Sequence, residues 1–232
     1  MSQTVTTPET MPDPKTIREN NAAVDRLVDG FENRVDRFLR RHRGKLHLLA
    51  FLLAVAWATP SLMAILLGLP LVAVGLALRT WAAGHLAKNT RLCTTGPYGL
   101  CRHPMYLANL MILAGILAAG NNVYMTAAGL LLTIAVYVFA IRREEALLCY
   151  LFDEDYAQYR QSTPCLLPQL TCSHSGTANR RFSWALAWYN GIGEQTGGVM
   201  LLILLFAVKT VLLAHFGINY AVTYGLWLPP LG

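Results

Sequence analysis

Apolar residues run in long blocks along this chain, and short polar clusters punctuate them. Leu46 to Ala83 is almost continuously apolar and too long for one bilayer crossing. Pro60-Ser61 divides it into a short helix and a longer one ending near Trp81, a residue that fits the interfacial aromatic belt. Pro104 to Gly120 and Val123 to Ile141 are each about one span long, and Asn121-Asn122 turns the chain between them. Pro104 suits the first position of a helix, where no backbone donor is needed. Thr196 to Phe216 is a further span; its single charge, Lys209, reads as snorkelling or packed against a neighbour. The expected fold is all-α, a multi-pass integral membrane helical bundle of about five transmembrane helices.

The polar stretches organise the rest. Met1 to Thr16 is proline-dotted and expected to be a disordered tail. Ile17 to Lys45 carries Val24, Leu27, Val28, Phe31, Val35 and Phe38 at helical spacing and ends in a crowd of arginines. It reads as an amphipathic helix on an anionic cytoplasmic leaflet, the plainer alternative being a solvated helix leading into the membrane, and not as a secretory signal. His85 to Thr95 is a polar connection. After Ile141, Leu147, Leu148, Leu151 and Phe152 form one helical face, and Pro164 and Pro168 end regular structure. Ser173 to Arg181 reads as a linker and Phe182 to Tyr189 as interfacial. The expected organisation is 1–45 as tail and juxtamembrane helix, 46–168 as membrane core, and 169–232 as linker, interfacial segment and additional span.

Composition agrees: 54% of the residues are hydrophobic, 14% are charged, and the mean hydropathy is +0.39. The formal charge of +6 gathers at Arg34–Lys45, Lys88–Arg102, Arg142–Arg143 and Arg180–Arg181. With those clusters cytoplasmic, the N-terminus is cytoplasmic and the C-terminus lies on the opposite face. The charge is a matter of topology, and no nucleic-acid motif accompanies it. The five cysteines, Cys93, Cys101, Cys149, Cys165 and Cys172, form no CxxC pair and leave an odd count. No disulfide framework and no metal site are expected; Cys93, Cys101 and His103 read as ordinary residues.

Candidate chemistry gathers where two clusters reach the same membrane surface. One is Gly96-Pro97-Tyr98-Gly99-Leu100-Cys101-Arg102-His103-Pro104-Met105-Tyr106; the other is Arg142-Arg143-Glu144-Glu145, at the expected C-terminal end of its span. A cytosolic pocket with cationic and acidic ends suits a zwitterionic metabolite. Arg102 at a helix N-terminus favours a carboxylate, and Glu144 or Glu145 an ammonium group or ribose hydroxyls. Tyr98 and Tyr106 offer faces to a ring or a sulfonium. Against this stands the plainer reading that basic span ends arise from topology alone.

Gly96-Pro97-Tyr98 followed by Arg102-His103-Pro104-Met105-Tyr106-Leu107 resembles the signature of the isoprenylcysteine carboxyl methyltransferase family. Glu144-Glu145 through Phe152, Tyr156, Tyr159, Pro164 and Pro168 resembles that family's second motif, and phospholipid N-methyltransferases share part of the pattern. The resemblance implies a membrane methyltransferase using S-adenosylmethionine on the cytosolic side. By position, Leu92, Cys93, Tyr98, His103, Pro104, Tyr106 and Glu144 would line the cofactor site, with Arg102 and Glu145 added on charge. The acceptor implied is lipophilic or lipid-linked, such as an isoprenylcysteine-type carboxylate, and enters laterally from the membrane lipids. The family's substrate-facing arginine falls at Ala140 here, which leaves Arg142 and Arg143 as the acceptor-positioning candidates. The family's glycine after Phe152 is Asp153, a poorer choice for a left-handed helix end. Cys101-Arg102-His103-Pro104 also matches a run in membrane sterol reductases, which use a nicotinamide cofactor. A non-enzymatic scaffold or small transporter is the third class; it leaves the paired motifs unexplained, and the spans read as lacking the buried charges expected of an ion pathway.

Overall fold

The computed structural model describes residues 52–53, 55–87, 92–169 and 181–216, with no strand among them. The expected helix at Ile17–Lys45, the tail before it, most of the first short span and most of the Ser173–Arg181 linker lie outside the described residues. The helices are α1 (Leu62–His85), α2 (Pro104–Ala119), α3 (Val123–Ser162), α4 (Trp184–Tyr189) and α5 (Ile192–His215), with a 3-10 turn at Gly96–Gly99. Helices α1, α3 and α5 are long and apolar enough to cross a membrane, and α2 is a shorter apolar helix. The protein is an all-α integral membrane bundle.

Local chemistry sets the helix ends. The Ser61 hydroxyl accepts a hydrogen bond from the Ala64 amide at 3.2 Å, capping α1 where Pro60-Ser61 breaks the apolar run. Pro104 opens α2 with His103 as its N-cap. Asn121 takes a positive φ of 51° in the turn, and the Asn122 side chain accepts from the Met125 amide at 3.0 Å to cap α3. Lys209 on α5 donates to the carbonyls of Val55 (2.7 Å) and Ala56 (2.9 Å), just before the break at Pro60. Such terminal carbonyls lack intrahelical partners, so the lysine is packed against a neighbour as expected.

Helices α1 and α2 approach closely because small residues line their seam. A Cβ on Gly68 would collide with the Gly115 carbonyl oxygen, and one on Gly75 would lie 2.7 Å from Ile112 Cγ1. Lipid supplies no hydrophobic force between spans, so this backbone proximity is what yields contact energy. Val72, Ile112 and Val199 form one buried cluster, and Ala58, Ile65, Ala119, Leu202 and Phe206 another, which closes α5 onto the pair. Helix α3 stands apart: only 6% of its apolar window is buried, and Leu131, Leu132 and Phe139 are exposed, as befits a lipid-facing span.

One expectation is corrected. The span was expected to end near Ile141 with Arg142–Glu145 at its C-terminus, but α3 continues to Ser162. No glycine or proline follows Ile141 until Pro164, so nothing local stops the helix where its apolar run stops. The backbone departs from helical geometry at Asp153 (φ 34°, ψ −108°), which kinks the helix without ending it. The paired glutamates therefore lie in the middle of one long helix, before its kink, and not at a helix end.

Candidate active site

The segment after α3 runs back along the approach to α2. Arg102 N donates to Pro164 O (2.9 Å), His103 N to Cys165 O (3.1 Å) and Gln169 N to Leu100 O (3.0 Å). The Tyr159 hydroxyl donates to Tyr98 O at 2.6 Å. The two clusters that the sequence places at one surface are thus joined through their backbones.

Arg102 clasps them through its side chain. Its Nε and Nη2 donate to Glu145 Oε1 at 3.0 and 2.6 Å, and its Nη1 donates to the carbonyls of Arg160 (2.9 Å) and Thr163 (2.8 Å). Those carbonyls belong to the end of α3, where intrahelical donors run out. Burial opposes the guanidinium charge, but Glu145 outweighs it and holds the Arg102 pKa above its ordinary value.

The adjacent glutamates consequently differ. Glu145 is 14% exposed and engaged with Arg102, whereas Glu144 is 45% exposed, with Oε2 4.0 Å from His103 Nδ1. His103 is buried, with Nε2 3.4 Å from Glu145 Oε1; burial pushes its pKa below the usual imidazole value despite the pull of both carboxylates. Tyr106 lies close enough to Glu144 to feel its charge. Its ring stands edge-on to His103 at 5.7 Å and to Tyr137 at 4.9 Å. Tyr98 is buried with its hydroxyl unpartnered, and burial raises its pKa well above the usual phenol range.

The structure therefore brings together Tyr98, Arg102, His103, Tyr106, Glu144 and Glu145. Pro104 is buried at the start of α2, and Leu92 and Cys93 are half-buried nearby in sequence, with Cys93 Sγ donating to His85 O at 3.3 Å. Arg142 and Arg143 are exposed on α3, with Arg143 near Tyr106. A groove of about 550 Å³ opens beside Arg102, lined also by Arg160, Thr163, Pro164, Leu167 and Pro168; of the expected site residues only Arg102 borders it. His103, Glu145 and Cys165 hold ligand-type atoms within 4.8 Å of one another, a different trio from Cys93, Cys101 and His103. The Arg102 guanidinium occupies the same Glu145 oxygen, so a cation there would face that positive charge.

A second polar group lies deeper, and sequence reasoning missed it. Arg79 Nη1 and Gln195 Nε2 both donate to Asn109 Oδ1, at 3.0 and 2.9 Å. Arg79 is half-buried, with its Nε covered, and is a charge within a span that the sequence reading did not single out. The signal was present, since Arg79 and Asn109 each interrupt an apolar run, but their meeting depends on helix rotation.

Residues 63–155 match the family model described as phospholipid methyltransferase, a stretch that holds α1, α2 and α3 as far as the kink. The cobalt-zinc-cadmium resistance protein CzcN of Cupriavidus metallidurans is 34% identical over 157 residues, covering 61% of this chain and 71% of that protein. The chain belongs to the phospholipid methyltransferase family, that of the isoprenylcysteine carboxyl methyltransferase-like membrane methyltransferases. The nickel-cobalt-cadmium resistance protein NccN of Alcaligenes xylosoxydans xylosoxydans is 31% identical over 156 residues, with the same coverage of 61% and 71%. No solved structure matches the chain. The family stretch contains both halves of the Arg102–Glu145 clasp, while Gln195 lies beyond it.

Proposed function

We propose that this protein is an integral-membrane methyltransferase that uses S-adenosylmethionine and acts on a lipophilic acceptor. The observation that carries the reading is the partition of the glutamates in a chain of this family. Glu145 is tied to Arg102, which leaves Glu144 exposed beside His103, Tyr106 and the unpartnered Tyr98 hydroxyl. These residues fit the cofactor: a free carboxylate for an ammonium or ribose hydroxyl, a buried hydroxyl lacking a partner, and aromatic faces for a sulfonium. By their place in the family's motif, Leu92, Cys93 and Pro104 belong to the same cofactor site. Arg102 and Glu145 position its walls instead of touching the ligand.

S-adenosylmethionine supplies an already activated methyl group, so the protein's task is to orient the acceptor and exclude water. No side chain need act as a base toward a carboxylate or thiolate. Arg143, exposed near Tyr106, is suited to an anionic acceptor head such as an isoprenylcysteine-type carboxylate, with Arg142 beside it. With basic clusters inside, the pocket opens to the cytoplasm.

A second reading has its own observation. Both curated relatives are named for metal resistance, and the His103, Glu145 and Cys165 trio offers imidazole, carboxylate and thiolate atoms of the kind that hold zinc or cadmium. The test is calorimetry on the purified protein with S-adenosylmethionine, S-adenosylhomocysteine, NADPH, and zinc or cadmium chloride. Binding of the first two supports methyl transfer. A preference for NADPH moves the protein to the reductase class, metal binding alone supports the second reading, and binding of none favours a scaffold.

A further inference from the structure

Arg79, Asn109 and Gln195 come from three helices and converge at similar depth. Arg79 lies about 9 Å inside the end of α1, Asn109 about 7.5 Å inside the start of α2, and Gln195 about 4.5 Å inside the start of α5. Tyr137 connects this group to the site above, since it lies beside Arg79 and its ring meets that of Tyr106 edge-on at 4.9 Å. An interhelical polar contact that served packing alone would pair its atoms, because unpaired polar atoms in an apolar interior are costly. Here Arg79 Nε, Gln195 Oε1 and Tyr98 Oη are all buried without a hydrogen-bond partner. No carboxylate among the described residues pairs with Arg79; the ionisable groups acting on it are Tyr137 and Tyr98. Arg79 is half-buried with its Nε covered, and a guanidinium so placed without a paired carboxylate is suited to an anion.

We infer that Arg79, Asn109 and Gln195 form an intramembrane subsite for the acceptor's head group, and that Gln195 makes the C-terminal helix α5 a determinant of acceptor specificity. This rests on the methyltransferase reading for its place in the reaction. The unpartnered atoms define the ligand chemistry. Arg79 Nε seeks an anionic oxygen, and Gln195 Oε1 seeks a donor. The acceptor is therefore a lipid-tailed carboxylate with a neighbouring N–H, as in an N-acyl amino acid. Its tail occupies lipid, and its carboxylate lies below the Tyr137–Tyr106 pair, toward the cofactor pocket. Arg143 at the surface then serves entry, and Arg79 the bound state.

The test uses the full chain in neutral-lipid nanodiscs and three probes: N-palmitoylglycine, octadecanoic acid, and N-palmitoylglycine methyl ester. N-palmitoylglycine should bind best, the fatty acid about tenfold more weakly, and the ester weakest. Gln195→Leu should erase the preference for N-palmitoylglycine over the fatty acid, and Arg79→Gln should lose both acids. Gln195→Glu is the control for folding. It sets a carboxylate beside Arg79 and should block both acids while keeping the melting temperature and S-adenosylmethionine affinity. A native protein that binds S-adenosylmethionine but none of the probes, or the ester as tightly as the acid, overturns the inference. So does a Gln195→Glu variant that binds N-palmitoylglycine like the native chain. Discrimination among the probes without S-adenosylmethionine binding would keep the anion subsite and reject the methyltransferase reading instead.

Discussion

Arg102 and Glu145 are 43 residues apart in sequence and meet at 2.6 Å, with side chains only 10% and 14% exposed. The guanidinium also holds the last carbonyls of α3, so one side chain secures both halves of the site. Truncating one partner leaves the other charge buried and uncompensated, which costs about 3 kcal/mol. Arg102→Ala and Glu145→Gln should each lower stability by roughly that amount, and the double variant should lose far less than the sum. Melting of the four proteins in one detergent checks it; simple additivity would show that the clasp contributes nothing as a pair.

Glu144 carries the opposite expectation. Being 45% exposed, it contributes little to folding. Glu144→Gln should leave the melting temperature nearly unchanged and weaken S-adenosylmethionine binding by about 1.5–3 kcal/mol, the range of a charged hydrogen bond. Arg143→Ala should spare cofactor affinity and raise the acceptor's KM. If Glu145→Gln instead removed cofactor binding at native stability, the roles of the two glutamates would be exchanged.

His103 makes stability depend on pH. Burial depresses its folded-state pKa below the unfolded value near 6.5. The neutral ring therefore favours the folded state above that pH, and this contribution is lost as pH falls from about 6.5 through the folded pKa. Thermal melts between pH 7.5 and 5 should show a decline, and His103→Gln should flatten it over the same interval. An equal decline in the variant assigns the effect to other groups.

Asp153 sits at φ 34° and ψ −108°, a backbone region that costs a residue with a side chain about 1–3 kcal/mol. Asp153→Gly should recover about 1 kcal/mol after the unfolded chain's added freedom is subtracted. The expected result is a higher melting temperature with unaltered cofactor binding. A lower one would mean that the Asp153 side chain stabilises the kink.

Topology is tested independently of chemistry. Reporter fusions after Gly232 and labelling of a cysteine introduced near Asn121 should both report the non-cytoplasmic side, as five spans with inward basic clusters require. A cytoplasmic Gly232 would break the parity.

Much of this protein is written in local chemistry. The apolar runs set how many helices are long enough to cross a bilayer. Ser61, Pro104 and the Asn121–Asn122 turn set where they begin, because caps and missing donors act within one turn of the chain. The Gly96–Tyr106 and Glu144–Pro168 motifs marked the site and its family for the same reason: short spacings survive in sequence. Three matters were decided only in three dimensions. Helix α3 outlasts its apolar run because burial of the run and hydrogen bonding of the helix are separate requirements. Of two adjacent glutamates, Glu145 meets Arg102 and Glu144 does not, since neighbours on a helix point about 100° apart and only packing sets the phase. Arg79 and Asn109 look like isolated interruptions of apolar runs, and Gln195 lies just before another. The glycine seam of α1 and α2, with α5 closed against it, sets the rotations that bring them to one oxygen.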